Sequence, residues 1–186
     1  MEDRSIIQLY WQRDETAIQE TNTKYGAYCF QIAHNILAND EDAQECVNDT
    51  YWHAWNAMPP QQPSRLRLFL AKITRNLSFD YYKAQHAQKR GNGQLSAVLE
   101  ELQDCLAASD TVDHAVLAAE LANSINQFLR RLPERECHIF LRRYFYVEPI
   151  PTIAQRYQLK ESNVLMILSR TRKKLRIYLE QEGYTP

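Results

Sequence analysis

Apolar residues recur along this chain at three- and four-residue intervals, and residues that cannot continue a helix are gathered into a few short breaks. Ile6, Leu9, Tyr10, Ala17 and Ile18 keep that interval across 5–20, and Tyr25, Tyr28, Cys29, Ile32, Ala33, Ile36 and Leu37 keep it across 22–38. "LANDEDAQECV" then reads as a turn and a helix start: Asn39 or Asp40 can cap, and acids in a first turn suit the helix dipole. The third helix runs to about Met58, with Ala43, Val47, Tyr51 and Ala54 or Trp55 on one stripe, and "PPQQP" at 59–63 ends it. A fourth runs over 64–88, burying Leu66, Leu70, Ile73, Leu77 and Phe79 in part. "RGNGQ" at 90–94 interrupts the pattern. The acidic stretch after it is expected to be a linker with a short helix around 95–106. Segments 112–130, 134–145, 151–158 and 161–182 read as further helices, with Pro133 and Pro151 suited to first turns.

Strand-like alternation is absent, and 4 Gly and 7 Pro are too few for a turn-rich sandwich. The expected fold class is therefore all-α: two small helical domains, 1–90 and 112–186, joined by an acidic linker over 91–111. No run approaches the ~18–20 apolar residues of a membrane span. The start, "MEDRSIIQLYWQRDE", has neither the basic opening nor the apolar block of a signal peptide, so the expected location is cytoplasmic, with no membrane insertion. Cys29, Cys46, Cys105 and Cys137 form no CxxC pair and the five histidines no HxxxH, so neither a metal site, a cofactor nor a disulfide framework is indicated.

A net charge of −1 conceals a strong pattern. Residues 1–64 carry Arg4, Arg13 and Lys24 against ten acids, and 65–90 carry seven bases against Asp80 alone. Residues 91–129 carry six acids and no base, and 130–186 carry twelve bases against six acids. A near-neutral chain divided in this way is built to meet polyanions at two separate places.

The second basic block has the outline of a helix-turn-helix. In "IPTIAQRYQLKESNVLMILSRTRKKL" a short helix carries Ile153, Ala154 and Tyr157, a turn holds Leu159, and a longer helix follows. In such a unit the second helix enters the major groove and flanking cations neutralise phosphates. At ~100° per residue, Val164, Leu168, Thr171, Leu175, Tyr178 and Leu179 fall in one stripe, a buried seam. Ser162, Met166, Ser169, Arg170 and Lys173 lie opposite, with Leu165 and Arg172 at one border and Ile167 at the other. A helical hairpin within a bundle would carry the same pattern.

The first basic block, "RLRLFLAKITRNLSFDYYKAQHAQKR", interleaves cations with Phe69, Phe79, Tyr81 and Tyr82, a composition suited to single-stranded nucleic acid. Aromatics of an amphipathic core helix would look alike. In the preceding helix Glu45, Asn48, Asp49 and Trp52 share a face that the core stripe does not need. An acidic face with a Trp at its edge fits a protein partner, and a solvated face is the alternative. No paired acids, metal spacing or nucleophile constellation points to an enzyme.

These pieces, in this order, resemble the bacterial extracytoplasmic-function (ECF) sigma factors, the two-domain sigma subunits of RNA polymerase. "ILANDEDAQECVNDTYWHAWNAM" is similar to the family's polymerase-binding helix and "LFLAKITRNLSFDYYK" to the helix that follows it. "FLRRLPERECHIFLRRYF" and "IAQRYQLKESNVLMILSRTRKKL" are similar to its fourth region. The resemblance implies a non-enzymatic protein that binds core RNA polymerase and promoter DNA and directs initiation, often held off by an anti-sigma factor. It implies that Glu45, Asn48, Asp49 and Trp52 face the clamp helices of the polymerase's largest subunit. Lys72, Arg75, Asn76, Asp80 and Lys83 would engage and help melt the −10 element, beside a base-capturing loop near Pro59–Ser64. Ser162, Leu165, Met166, Ser169 and Arg170 would face −35 bases, and Arg142, Arg143, Arg172, Lys173 and Arg176 phosphates. A second implication remains open: a sigma-like protein whose fourth region binds a protein instead of DNA.

The chain departs from the family where specificity is set. Leu165, Met166 and Ile167 stand where Lys or Arg, a small polar residue, and Arg or Met are usual. Gln158 replaces the turn Gly, Lys160 the Ser cap, Phe69 a Trp and Ala71 a Tyr. Leu165 cannot form a bidentate contact to guanine, worth ~1–3 kcal/mol of discrimination, but it can meet a thymine methyl.

Overall fold

The structure, a computed structural model, describes residues 1–86, 94–103 and 114–184. All secondary structure among these residues is helical, and the chain divides into two compact units, Met1–Gly93 and Gln94–Pro186. Part of the expected 91–111 linker thus groups with the second unit; its remainder, with Cys105, lies outside the described residues.

The first unit holds α1 (Asp3–Trp11), α2 (Thr16–Leu37), α3 (Asp40–Ala57) and α4 (Leu66–His86). The expected helices over 5–20 and 22–38 are instead a short helix and one long helix, with the break at 12–15 and none near Thr21. Arg13 takes a left-handed conformation at φ 58°, and the Asp14 carboxylate accepts from Thr16 N at 2.9 Å and Thr16 Oγ1 at 2.7 Å, opening α2. Thr21, which falls between the two expected helices, is buried inside α2, where its hydroxyl bonds Ala17 O and stands 2.9 Å from Tyr10 Oη.

α2, α3 and α4 pack against one another, with α1 on α2. Their shared core includes Ile6, Tyr10, Ala17, Cys29, Val47, Tyr51, Met58, Leu66 and Leu70. Asn39 caps α3, its side-chain oxygen accepting from Glu41 N at 2.9 Å and Asp42 N at 3.0 Å, as the acidic first turn requires. Gly26 is needed where α2 meets α3. A Cβ there would stand 2.5 Å from Asn22 Oδ1 and 3.3 Å from Tyr51 Oη, the pair whose 2.9 Å hydrogen bond joins the two helices.

The α3–α4 seam is small and polar. Cys46 Sγ lies 3.2 Å from Ser78 Oγ, and Thr50 Oγ1 lies 3.1 Å from Thr74 Oγ1, all four residues buried. The hydroxyls of Thr50, Thr74 and Ser78 also bond the carbonyls four residues back in their own helices. That satisfies them without water and lets the backbones approach.

The second unit holds α5 (Gln94–Gln103), α6 (His114–Arg131), α7 (Glu134–Tyr144), α8 (Ile150–Tyr157) and α9 (Glu161–Gln181). α9 is its hub, in contact with α6, α7 and α8. The buried residues of α9 are Val164, Leu168, Thr171, Leu175, Tyr178 and Leu179, the stripe read from the sequence. Enclosing a side chain the size of Leu168 is worth roughly 1.5–3 kcal/mol, so this stripe fixes which way the helix faces. Pro133 precedes α7 as its N-cap and Pro151 sits in the first turn of α8, where a missing N–H costs nothing.

Candidate nucleic-acid interface

α8 and α9 form the helix-turn-helix. Gln158 turns the chain in the left-handed region at φ 52°, and Leu159 N bonds Ala154 O at 2.9 Å. Lys160 is the N-cap of α9 and gives no side-chain cap bond. The buried Ile153 and Ala154 lock α8 down, and α9 presents its other face to solvent.

On that face Ser162, Arg170 and Lys173 are exposed, Ser169 is half-buried, and Leu165 and Met166 are 51 % and 44 % exposed. These two apolar side chains therefore have no role in the core, although they sit inside a run of five apolar residues. Among the described residues Arg170 and Lys173 enter no ion pair, which leaves both cations to the solvent side.

The other cations expected to serve phosphates are differently placed. Arg143 is buried at 3 %, and Arg172 is only partly exposed. Both reach Glu101 on α5: Arg143 Nη2 to Oε1 at 2.5 Å, and Arg172 Nη1 to Oε2 at 3.2 Å. Arg142 pairs with the buried Glu148, and Arg176 with Glu180 one turn on. Low-dielectric surroundings leave the buried Arg143 guanidinium little choice but to find an internal anion, whereas the exposed Arg176 pair contributes little. Sequence spacing shows none of this, because Glu101 lies some forty residues and more away from its partners. Burial, and after it the bond to the Glu101 carboxylate, raise the Tyr144 hydroxyl well above its ordinary pKa against the opposing pull of Arg172, so it stays a donor to Glu101 at 2.8 Å.

In the first unit the α3 face is assembled as spaced. Glu45 and Asn48 are exposed, Trp52 is 65 % exposed, and Asp49 is half-buried because Tyr81 of α4 donates to it. A groove beside this face continues onto α2, lined by Gln19, Asn22, Gln44, Asn48, Trp52 and Trp55. The α2 contribution has no signature in the sequence.

Along α4, Lys72, Asn76, Asp80 and Lys83 are exposed on one strip. Arg75 is set apart: its guanidinium lies 4.4 Å over the Phe79 ring, and burial lowers its pKa. Arg67 stacks likewise on Tyr28 at 4.4 Å. Most of the aromatics are thus half-buried supports for cations and core and not free stacking platforms. A second groove is lined by Arg4, Ile7, Gln8, Trp11, Gln62, Pro63 and Ser64, which brings α1 and an exposed Trp11 to the loop at 59–64. Sequence reading gave α1 no part there.

Among the described residues no three His, Cys, Asp or Glu side chains gather where a metal could bind, and no helix is long and apolar enough to cross a membrane.

Two family models match the chain. Sigma-70 region 2 matches residues 23–88 and Sigma-70, region 4 matches residues 128–176, together more than half of the length. The first takes in most of α2 and all of α3 and α4, and the second takes in α7, α8 and most of α9; α1 and α5 lie outside both. No curated protein matches the chain.

Proposed function

The chain belongs to the sigma-70 family, and from that membership we propose that it is a sigma factor of the ECF type, which binds core RNA polymerase and directs it to promoters. The observation that carries this reading is the outward face of α9. A helix-turn-helix holds Ser162, Leu165, Met166, Ser169, Arg170 and Lys173 away from the core, in the segment that matches region 4. Two-region organisation supports the ECF assignment, since only residues 89–127 separate the two matched segments.

On this reading Glu45, Asn48, Asp49 and Trp52 dock on the polymerase. Lys72, Arg75, Asn76, Asp80 and Lys83 engage the −10 element, and α9 reads the −35 element in the major groove. The protein makes and breaks no bonds itself and needs no cofactor; it works in the cytoplasm, where the polymerase is. An anti-sigma factor, where one exists, would cover the same faces. The domains that do this work are 1–90 and 112–186.

The exposure of Leu165 and Met166 favours one second reading, a region 4 that binds a protein in place of −35 DNA. In vitro transcription with core polymerase and genomic promoter fragments separates the two. Initiation that depends on this chain and on an upstream element is expected; polymerase binding without promoter-dependent initiation overturns the first reading in favour of the second.

A further inference from the structure

We propose that Arg143, Tyr144 and Arg172 form a pocket for a backbone phosphate of DNA, which Glu101 of α5 fills in the free chain and vacates when DNA binds. This rests on the reading of α9 as a DNA-binding helix.

Four donors converge on the one carboxylate. Arg143 places Nη2 at 2.5 Å and Nε at 3.2 Å from Oε1, while Tyr144 Oη at 2.8 Å and Arg172 Nη1 at 3.2 Å approach Oε2. Arg172 also donates to the Tyr144 hydroxyl, so the two donors are held in register. A guanidinium fork backed by a second guanidinium and a phenol matches the oxygens of a phosphate as well as those of a carboxylate. Two guanidinium groups face the Glu101 carboxylate, and Arg143 Nη1 also donates to Glu148 O at 3.2 Å. With Glu101 gone, two guanidinium groups would be left together, one of them deeply buried, and another anion would have to replace it. The site therefore requires an anion but not this particular one.

Its location fits the exchange. Arg172 lies at the edge of the exposed face of α9, next in sequence to the exposed Lys173, and both belong to the segment that matches region 4. Glu101 lies outside both matched segments, on a helix of ten residues that has little intrinsic stability alone. Leu95 and Val98 are the buried apolar residues of α5, whereas Leu99 and Glu100 are exposed. α5 is thus held by a short apolar face and by its carboxylate.

The test uses the full chain and a labelled DNA duplex of mixed sequence, because a phosphate pocket is blind to sequence. Binding is read by fluorescence anisotropy for the unaltered protein, Glu101→Gln, Glu100→Gln and Arg170→Ala. Glu101→Gln should bind several-fold tighter, and Glu100→Gln, which removes the same charge from the exposed side of the same helix, should bind as the unaltered chain does. A gain for Glu101→Gln no larger than that for Glu100→Gln overturns the proposal. Should Glu101→Gln fail to fold, hydrogen exchange of the α5 amides in the unaltered chain decides: faster exchange on adding the duplex supports release, and unchanged or slower exchange overturns it. Arg170→Ala reports on the reading beneath. If it binds as well as the unaltered chain while Glu101→Gln gains, the pocket stands and the contact of Arg170 with DNA falls; if no variant binds, the pocket and the DNA-binding reading of α9 both fall.

Discussion

Tyr81 donates its hydroxyl to Asp49 Oδ2 across 2.7 Å, tying a carboxylate on the outer face of α3 to α4. Its phenol is held protonated, its pKa raised first by this bond and then by burial. Asp49 is therefore both an element of the proposed polymerase face and an internal brace. Tyr81→Phe should lower unfolding stability by about 1–2 kcal/mol, measured by urea titration. Glu45→Lys and Trp52→Ala should leave that stability unchanged and weaken polymerase binding, the Trp variant by roughly 2 kcal/mol if it is an anchor. Unchanged affinity in both would remove the α3 face from the interface.

Cys46 is buried in the α3–α4 seam, and burial raises its thiol from 9.0 to about 11. Its proton is held more tightly folded than unfolded, so the stability this contributes is fully present below pH 9.0 and is lost as pH rises through about 11. Cys29 and Tyr51 shift in the same direction through burial and steepen the same limb. Stability measured against pH should hold up to the unfolded thiol value and then fall, and Cys46→Ala should shallow the fall. A limb equally steep in the variant would mean that Cys46 takes no part. Native protein near neutral pH should also resist alkylation at Cys46 until denaturant is added.

The turn between α8 and α9 carries two suboptimal residues. Gln158 takes a left-handed conformation that costs a non-glycine residue roughly 1–2 kcal/mol, and Lys160 caps α9 without a side-chain bond. Gln158→Gly and Lys160→Ser should each raise the melting temperature, with about 1 kcal/mol from the better cap. A fall in both would show that these side chains hold something the fold needs.

Leu165 and Met166 point outward beside Arg170. A selection on randomised −35 DNA should return thymines opposite Leu165, and Leu165→Arg should shift the preference toward guanine by ~1–3 kcal/mol. Lys173→Ala should weaken all sequences alike and lower the salt slope by about one unit, as a phosphate contact does. A strict guanine requirement in the unaltered chain would rule out the thymine contact.

The helices were legible because apolar spacing survives in the sequence, and the α9 seam was legible residue by residue. The turn at 12–15 was not. Arg13, Ala38, Val147 and Gln158 all take positive φ without being glycine, and at 13, where α1 ends, no other residue marks the turn. The core also hides polar members: Thr21, Thr50, Thr74 and Ser78 are fully buried, yet each reads as surface until its hydrogen bond is seen. The surroundings of the cations were not legible either. Nothing local distinguishes Arg143, which is buried, from Arg170, which is exposed; only the distant Glu101 does.

The seam of Cys46, Thr50, Thr74 and Ser78 has a mechanical consequence. Side chains this short leave no lever arm between α3 and α4, so neither helix can roll or slide without straining hydroxyl bonds on both. Under the proposed reading, one of these helices is gripped by the polymerase and the other by a promoter strand. The pair then behaves as a stiff bracket: fixing α3 on the enzyme sets the aim of α4 outright, and promoter melting needs no rearrangement inside this unit.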